Sequence, residues 1–503
     1  MSNPMTDIVE PRPLTGWPLA LGGLVLALAN FLVVLDTTIA NVAVPHIAGG
    51  LAVSPAQGTY VITSYAVAEA VSVPLTGWLA GRFGMVRTFI FAMIGFGVFS
   101  ALCGLAPSLG LLCMFRVFQG LFGGPMMPLS QTLMLKIFPP KQQPMALGLW
   151  SMTTLVAPIA GPVLGGVLCD NVGWPSIFYI NVPIAMGFSF LGWRVLRSQE
   201  SGVIKSKIDS VGLALLVVWV GALQLMVDEG KDLDWFNSST IVILGLTALI
   251  GFVAFLIWEL TAENPIVPLK VFRHRGYAVS IVTLCIAIAG MYGGLVLTPL
   301  WLQNYMGYTA TWSGYATAMM GVLAVFAAPL AAQLAAKVDP RKLVFMGVMW
   351  MGAMFFVRGQ STTGMDFGQV ALPILFMGVG MPFFFVPLMG MALSSVDPEE
   401  TAGAAGLMNF ARTLSGAVAI SITTTAWENG ATSSRAELVT QLNPSALPSE
   451  FGIGTLDGLV QNQAVMLSTN STFLSVASLF AIAALAVWMA PRPKRVADMS
   501  AAH

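Results

Sequence analysis

The sequence predicts an all-α integral membrane protein of fourteen transmembrane helices, arranged as two six-helix bundles with two extra central helices between them. Three observations carry that prediction. Of 503 residues, 56% are hydrophobic and 9% charged, whereas a soluble domain is about one quarter charged. Apolar runs of spanning length recur from one end of the chain to the other. Lys and Arg collect in alternate connections between those runs, which marks a fixed orientation in a bilayer. The formal net charge is zero, so the overall charge does not point to nucleic acid.

Taken in order, spans are expected near 16–40, 57–80, 86–106, 109–135, 144–168, 174–196, 209–228, 239–258, 276–302, 311–335, 342–359, 368–395, 402–427 and 469–490. The polar start MSNPMTDIVEPRP, followed by a first run long enough to span, does not read as a cleavable signal peptide. An even number of spans puts both termini on one side. Eighteen basic residues fall on that side: Arg12, Arg82, Arg87, Lys136, Lys141, Arg194, Arg197, Lys205, Lys207, Lys270, Arg273, Arg275, Lys337, Arg341, Lys342, Arg492, Lys494 and Arg495. Three fall on the other, Lys231, Arg358 and Arg435, while Arg116 and Arg412 lie inside spans. The basic side is the cytoplasmic one, so both termini are expected in the cytoplasm.

An internal repeat sets the domain boundaries. Leu79-Ala80-Gly81-Arg82, with Arg87 five residues on, returns 255 residues later as Leu334-Ala335-Ala336-Lys337, with Lys342 five on. The two copies follow the second and tenth spans, so the seventh and eighth are insertions. The expected organisation is a six-helix bundle over 1–200, an inserted pair over 201–270, and a second bundle over 271–503 with an outer segment at about 428–468. Repeated helical bundles are the architecture of secondary transporters, with substrate at the repeat interface. No GxxxxGK[ST], HExxH, Ser/His pairing or Cys/His cluster occurs, so neither enzymatic catalysis, ATP hydrolysis nor a metal is expected. Cys103, Cys113, Cys169 and Cys285 lack metal-ligand spacing and read as packing residues.

Ionisable residues inside spans are expensive and mark function. Asp36 lies in the outer part of the first span, where a carboxylate can bind and release a proton. Arg116 lies at similar depth in the fourth span. It keeps its charge and needs a carboxylate or carbonyls, and Asp36 is its expected partner. Such a pair is either a conformational route to proton release or a static ion pair. Gly120, Gly123 and Gly124 continue its helix at spacings that allow close packing. Glu69, near the middle of the second span, is a second proton carrier or a contact for a cationic substrate. Arg412, in the thirteenth span near Asn409, is structural or holds an anionic substrate.

Two backbone features stand beside these. The turn from Gly77 to Arg87, with Arg82 and Gly84, is a tight inner connection whose arginines latch helix ends or simply anchor the loop. In the fifth span Ala157, Gly161 and Gly165 recur every four residues, with Pro162 and Gly166 alongside. A small-residue stripe lets another helix approach closely, and here it is expected to mark the meeting of two halves of a moving machine.

Several motifs stand in order. Asp36, Thr38, Asn41, Ala43 and Pro45 fit D-x-T-x-x-N-x-A-x-P. Gly77, Leu79, Ala80, Arg82, Gly84 and Arg87 fit a transporter loop signature. Arg116, Gln119 and Gly120 fit R-x-x-Q-G, and Gly161, Pro162, Gly165 and Gly166 fit G-P-x-x-G-G. Trp174, Ile177, Phe178, Asn181, Val182 and Pro183 extend the set, as do Asn409, Phe410 and Arg412. On these residues nearly the whole chain resembles the fourteen-span drug:proton antiporters of the major facilitator superfamily, the EmrB/QacA-type multidrug exporters. Two departures are visible: the loop signature usually carries an acid where this chain has Gly81, and Glu69 is outside the family pattern.

The resemblance implies proton-driven export of hydrophobic or amphipathic drugs across a bacterial inner membrane by alternating access. Protons are then the coupling ion and no cofactor is needed. A periplasmic adaptor and an outer-membrane channel are the implied partners. Proton coupling is expected at Asp36 and Arg116, to which the residue reading adds Glu69. Gln119, Asn41, Arg412 and Asn409 are candidates for substrate contact or coupling. Export of a single metabolite or siderophore is the alternative on the same scaffold.

Overall fold

The computed structural model describes residues 13–53, 55–203, 209–230, 233–263, 265–441 and 453–491. Every regular element among them is helical. An apolar chain in lipid has to satisfy its backbone N–H and C=O groups internally, and the helix does so within one segment. The longer helices are α1 (Gly16–Gly50), α2 (Tyr60–Ser72), α3 (Thr76–Phe83), α4 (Met85–Gly104), α5 (Leu109–Gly123), α6 (Met126–Ile137), α7 (Gln143–Asn171) and α8 (Asn181–Leu196). They continue as α9 (Ser210–Glu229), α10 (Ser239–Thr261), α11 (Arg275–Tyr305), α12 (Ala310–Lys337), α13 (Pro340–Arg358), α14 (Phe367–Ser394), α15 (Thr401–Gln441) and α16 (Ile453–Ala486).

Among the described residues, 12 helical segments are long and apolar enough to cross a membrane. The expected spans at 57–80 and 144–168 are not among the twelve. The first falls on α2 and α3, which a 3-10 turn at Val73–Leu75 separates. The second falls on α7, a continuous helix of 29 residues. The expected outer segment at 428–468 is largely helical where it is described. Helix α15 runs on to Gln441 and α16 begins at Ile453; the residues between lie outside the described set.

The chain divides into two compact units. One comprises Met1–Lys270 with Asp397–Ala417, the other Val271–Val396 with Val418–His503. Within the first, α1 packs along α6, α7 and α8, α5 packs on α2 and α4, and α4 packs on α8. The inserted helices α9 and α10 pair with each other, and α9 lies against α2. Within the second unit, α11 packs on α14 and α16, α14 on α12 and α13, and α13 on α16. Numbered by the expected spans, with α2 and α3 counted as one and α5 and α6 as one, each of these neighbour pairs of the second unit has a counterpart in the first. The repeat read from two short loops is therefore also a repeat of helix packing.

Some helix starts are closed by side chains. Asp209 caps α9, Thr309 caps α12 and Asp339 caps α13. Asp366 and Gln369 form a reciprocal capping box at α14, satisfying two N–H groups that would otherwise lack partners. Helix α10 exposes Ile243, Leu249, Ile250 and Ile257, the surface a membrane helix presents to lipid.

Candidate functional site

The site grows from the close approach of α2 and α5. A Cβ at Gly120 would lie 3.0 Å from the Ala68 Cβ and 3.1 Å from the Glu69 nitrogen. One at Gly124 would lie 2.9 Å from the Glu69 carbonyl oxygen and would collide with the Ser72 hydroxyl. Glycine at both positions brings the backbones together, and the Ser72 hydroxyl donates to the Gly120 carbonyl at 3.3 Å. This contact carries Arg116 into the interior, where it is fully buried.

Arg116 Nη1 donates to Asp36 Oδ2 at 2.6 Å and to Gln119 Oε1 at 2.9 Å, and its Nε donates to the Val61 carbonyl at 3.1 Å. The guanidinium carbon sits 4.1 Å from the centroid of the Tyr65 ring and 5.6 Å from that of Phe178. Asp36, 2% exposed, takes two further bonds on Oδ1, from Gln119 Nε2 at 3.1 Å and Asn181 Nδ2 at 2.6 Å. Asn181 also donates to the Ser100 hydroxyl at 3.1 Å, which in turn donates to the Phe178 carbonyl at 2.8 Å. An apolar wall of Leu35, Ile39, Val61, Leu112, Ala157 and Phe178 surrounds the cluster. A buried ion pair is retained when further hydrogen bonds satisfy its remaining donors and acceptors, and this one has them on both sides.

The structure thus brings together Asp36, Arg116 and Gln119, and adds Asn181. Sequence reasoning noted Asn181 only as part of a motif, although an amide among the apolar residues that open a span is a visible signal. Glu69 is buried on α2, one turn beyond Tyr65, and among the described residues its carboxylate takes no hydrogen bond. The charges acting on it are Arg412, then Arg116 and Asp36. Arg412 is buried and donates to the Met127 sulfur at 3.1 Å. Asn409 donates to Gln131 Oε1 at 3.0 Å and to the Ala405 carbonyl at 2.9 Å. Asn41 is on α1, and its side chain lies outside the described residues, as does that of Pro162.

The small-residue stripe of α7 packs on α1 in the same unit. A Cβ at Gly161 would collide with the Thr38 hydroxyl, and one at Gly165 would lie 3.3 Å from the Ile39 carbonyl oxygen. Gly166 faces open space. The stripe was expected to mark a junction of two halves; its neighbour here is the helix that carries Asp36. It seats that helix two to three residues beyond the carboxylate.

At the turn, Gly77 allows α3 to touch Gly403, whose Cα would lie 2.8 Å from an added Cβ. Gly84 has φ +91° and ends α3, a left-handed conformation that glycine adopts without strain. Arg82 occupies the last turn of α3. The start of α4 is capped from a distance: Glu200 accepts from the Val86 N–H at 2.9 Å and the Arg87 N–H at 3.0 Å. The Arg87 side chain approaches the same carboxylate at 3.8 Å. A Cβ at Gly81 would meet nothing within 4 Å. The acid that faces this turn therefore comes from Glu200, beyond the sixth span, rather than from position 81.

Comparison with known proteins agrees with this architecture. A family model described as Major Facilitator Superfamily matches residues 26–420. The Multidrug export protein EmrB of Escherichia coli (strain K12) is 43% identical over 501 residues, covering 96% of this chain and 98% of that protein. The Fatty acid resistance protein FarB of Neisseria gonorrhoeae is 41% identical over 495 residues, covering 96% and 98%. Among solved structures, the human organic anion transporter MFSD10 aligns with a TM-score of 0.61 at 12% identity, covering 94% of this chain and all of that one, a likeness of fold alone. The chain is therefore a multi-pass membrane protein that belongs to the Major Facilitator Superfamily, in the group of EmrB-type export proteins it matches over nearly its whole length.

Proposed function

We propose that this protein is a proton-driven multidrug efflux antiporter of a bacterial inner membrane. Hydrophobic or amphipathic compounds leave as protons enter, by alternating access of two six-helix bundles in a fourteen-span chain with both termini in the cytoplasm. The names of the EmrB relatives support the substrate class. The observation that carries the coupling is the Asp36 carboxylate, a titratable acid held in the interior by Arg116, Gln119 and Asn181. When Arg116 draws away, the carboxylate loses its counter-charge and takes a proton; when Arg116 returns, the proton is released. Each charge moved through the membrane field contributes about 2.3 kcal/mol per 100 mV. Glu69 and Arg412 stand near enough to act on one another and serve as the second coupling or substrate contact, with Gln119, Asn41 and Asn409. The turn signature at Gly77, Arg82, Gly84 and Arg87 and the Gly161, Pro162, Gly165 and Gly166 signature guide the conformational change. A periplasmic adaptor and an outer-membrane channel complete the export path, and the protein itself works without a cofactor.

The test uses purified protein in vesicles with acid outside, following lumenal pH as drugs are added. Drug-dependent proton flux is expected in the wild type and is expected to vanish in Asp36→Asn. Flux that survives the substitution moves the proton site elsewhere, with Glu69 next. A narrower reading, export of one class of amphiphile, draws on the FarB relative. Competition among unrelated compounds for the same flux separates the two.

A further inference from the structure

The inserted pair of helices holds a second acidic site that the transport cycle above does not use. Asp209 caps α9, and Glu259 lies in the last turns of α10. Both carboxylates converge on Gly212, in the first turn of α9. A Cβ there would collide with Asp209 Oδ2 and press on Glu259 Oε1. Glycine at 212 is therefore what leaves room for two acids side by side.

Their hydrogen bonding is unequal. Asp209 is rich in donors: Oδ1 accepts from the Gly212 N–H at 2.9 Å, and the Trp258 indole N–H is shared between Oδ1 at 3.0 Å and Oδ2 at 2.8 Å. Glu259 is 1% exposed. Its Oε2 accepts from the Val267 N–H at 3.2 Å, while its Oε1 is buried with no hydrogen-bond partner. Among the described residues the charged group acting on Glu259 is Asp209; the other polar groups facing it are the backbone N–H groups of Ile266 and Val267. An ionised Glu259 would thus place an undonated oxygen beside a second carboxylate, and among the described residues no cation acts on Glu259 to offset it. Buried acceptors without donors and paired like charges are both costly, and one proton on Oε1 removes both penalties. Because the Asp209 oxygens already act as acceptors, the proton sits on Glu259 and points at Asp209.

We propose that Glu259 and Asp209 form a proton-holding carboxyl pair, separate from Asp36, that staples the start of α9, the end of α10 and the strand of chain at Val267. Loss of the proton sets two carboxylates against each other and loosens the staple. The ligand of this site is a proton alone, and the site responds to pH on its own side of the membrane without being on the path through Asp36.

The sign of the effect follows from linkage. An acid that keeps its proton in the folded protein at a pH where the unfolded chain has lost it adds stability that is greatest in acid and declines as pH rises. The full-length protein in lipid nanodiscs is expected to lose a few degrees of unfolding temperature between mildly acidic and alkaline pH through this pair. Glu259→Gln, whose amide N–H replaces the acid O–H toward Asp209, is expected to lack that component. Asp209→Asn, which removes the opposing charge, is expected to reduce it. Infrared spectra at neutral pH are expected to show a protonated-carboxyl C=O band in the wild type that is diminished in Glu259→Gln. Parallel pH curves for wild type and Glu259→Gln overturn the proposal, as does an unchanged carboxyl band. If Glu259→Gln fails to fold, Asp209→Asn decides alone: a pH curve identical to wild type overturns the pair, and a flattened one supports it.

Discussion

Arg116 in the first unit and Arg358 in the second are both buried, and the two are housed in opposite ways. In the first unit Arg116 meets a carboxylate, an amide and a carbonyl. In the second, Arg358 occupies the last turn of α13 and is 5% exposed. Its Nη2 donates to the Thr298 hydroxyl at 2.6 Å, and the guanidinium carbon lies 4.1 Å from the Phe473 centroid and 5.4 Å from that of Phe355. Among the described residues no acid pairs with it. The helix neighbours repeat between the units while the polar chemistry does not. A repeated scaffold thus holds an arginine–carboxylate pair in one copy and an aromatic-faced arginine in the other. The chemistry is set by a few side chains and the packing by the rest.

Substitutions test how deep that contrast runs. Arg116→Met leaves Asp36 buried without its cation, and breaking a buried pair in this way costs about 3–5 kcal/mol. Thermal unfolding in detergent should show that loss, together with loss of drug-dependent proton flux. The double variant Asp36→Asn with Arg116→Met should recover about 0.5–3 kcal/mol of it, the coupling that a double-mutant cycle reads between direct contacts. Additive losses would mean that the pair contributes nothing as a pair.

The helix starts provide a finer contrast. Glu200→Ala removes a remote cap from two N–H groups of α4 and should cost about 0.5–2 kcal/mol. Arg358→Met should lie within about 1 kcal/mol of wild type, because replacing a buried ion by an apolar chain of similar size is often neutral. A loss as large as that of Arg116→Met would erase the distinction between the two arginines. The smallest effect is expected at Asp339, which caps α13 locally and is gripped by Arg341 Nε at 3.2 Å and Nη2 at 2.7 Å. The Arg341 hydrogen bond holds the Asp339 carboxyl below its ordinary value. Its contribution is complete above the unfolded value of about 3.9 and is lost as pH falls through the lower folded value. Asp339→Asn should remove that acid-side slope from the unfolding curve.

The sequence made some of this legible and hid the rest for physical reasons. Depth in a membrane can be read from the edges of an apolar run, so Asp36 and Arg116 could be placed at one level and expected to meet. Gly120 and Gly124 announced a close helix contact by their spacing, though not that α2 was the neighbour. Rotation of one helix against another leaves no local signal, which is why Asn181, 145 positions from Asp36 in the chain, was not assigned to the carboxylate. For the same reason the contact of Gly161 and Gly165 with Thr38 and Ile39 of α1 was not foreseen. Arg358 read as part of an outer connection because a charge ends an apolar run; its burial comes from Phe355, one turn back on the same helix, and from Phe473, which only the fold brings to it. Glu200 lies outside any span and carried no motif, so its capping of a helix that begins more than one hundred residues earlier could not be foreseen.

The crowding around Asp36 has a kinetic consequence. A carboxylate offers about four acceptor positions, and three side-chain donors from two helices fill most of them here. A proton that reaches this group while Arg116 is bonded finds one open acceptor position, beside a guanidinium whose charge opposes its addition. Under the coupling proposed above, loading would accompany the departure of a helix-borne donor from a nearly filled shell. Where that departure is the slowest step, turnover follows the rate at which α5 or α8 withdraws, and a faster supply of protons at the entrance, for example from concentrated buffer, leaves it unchanged.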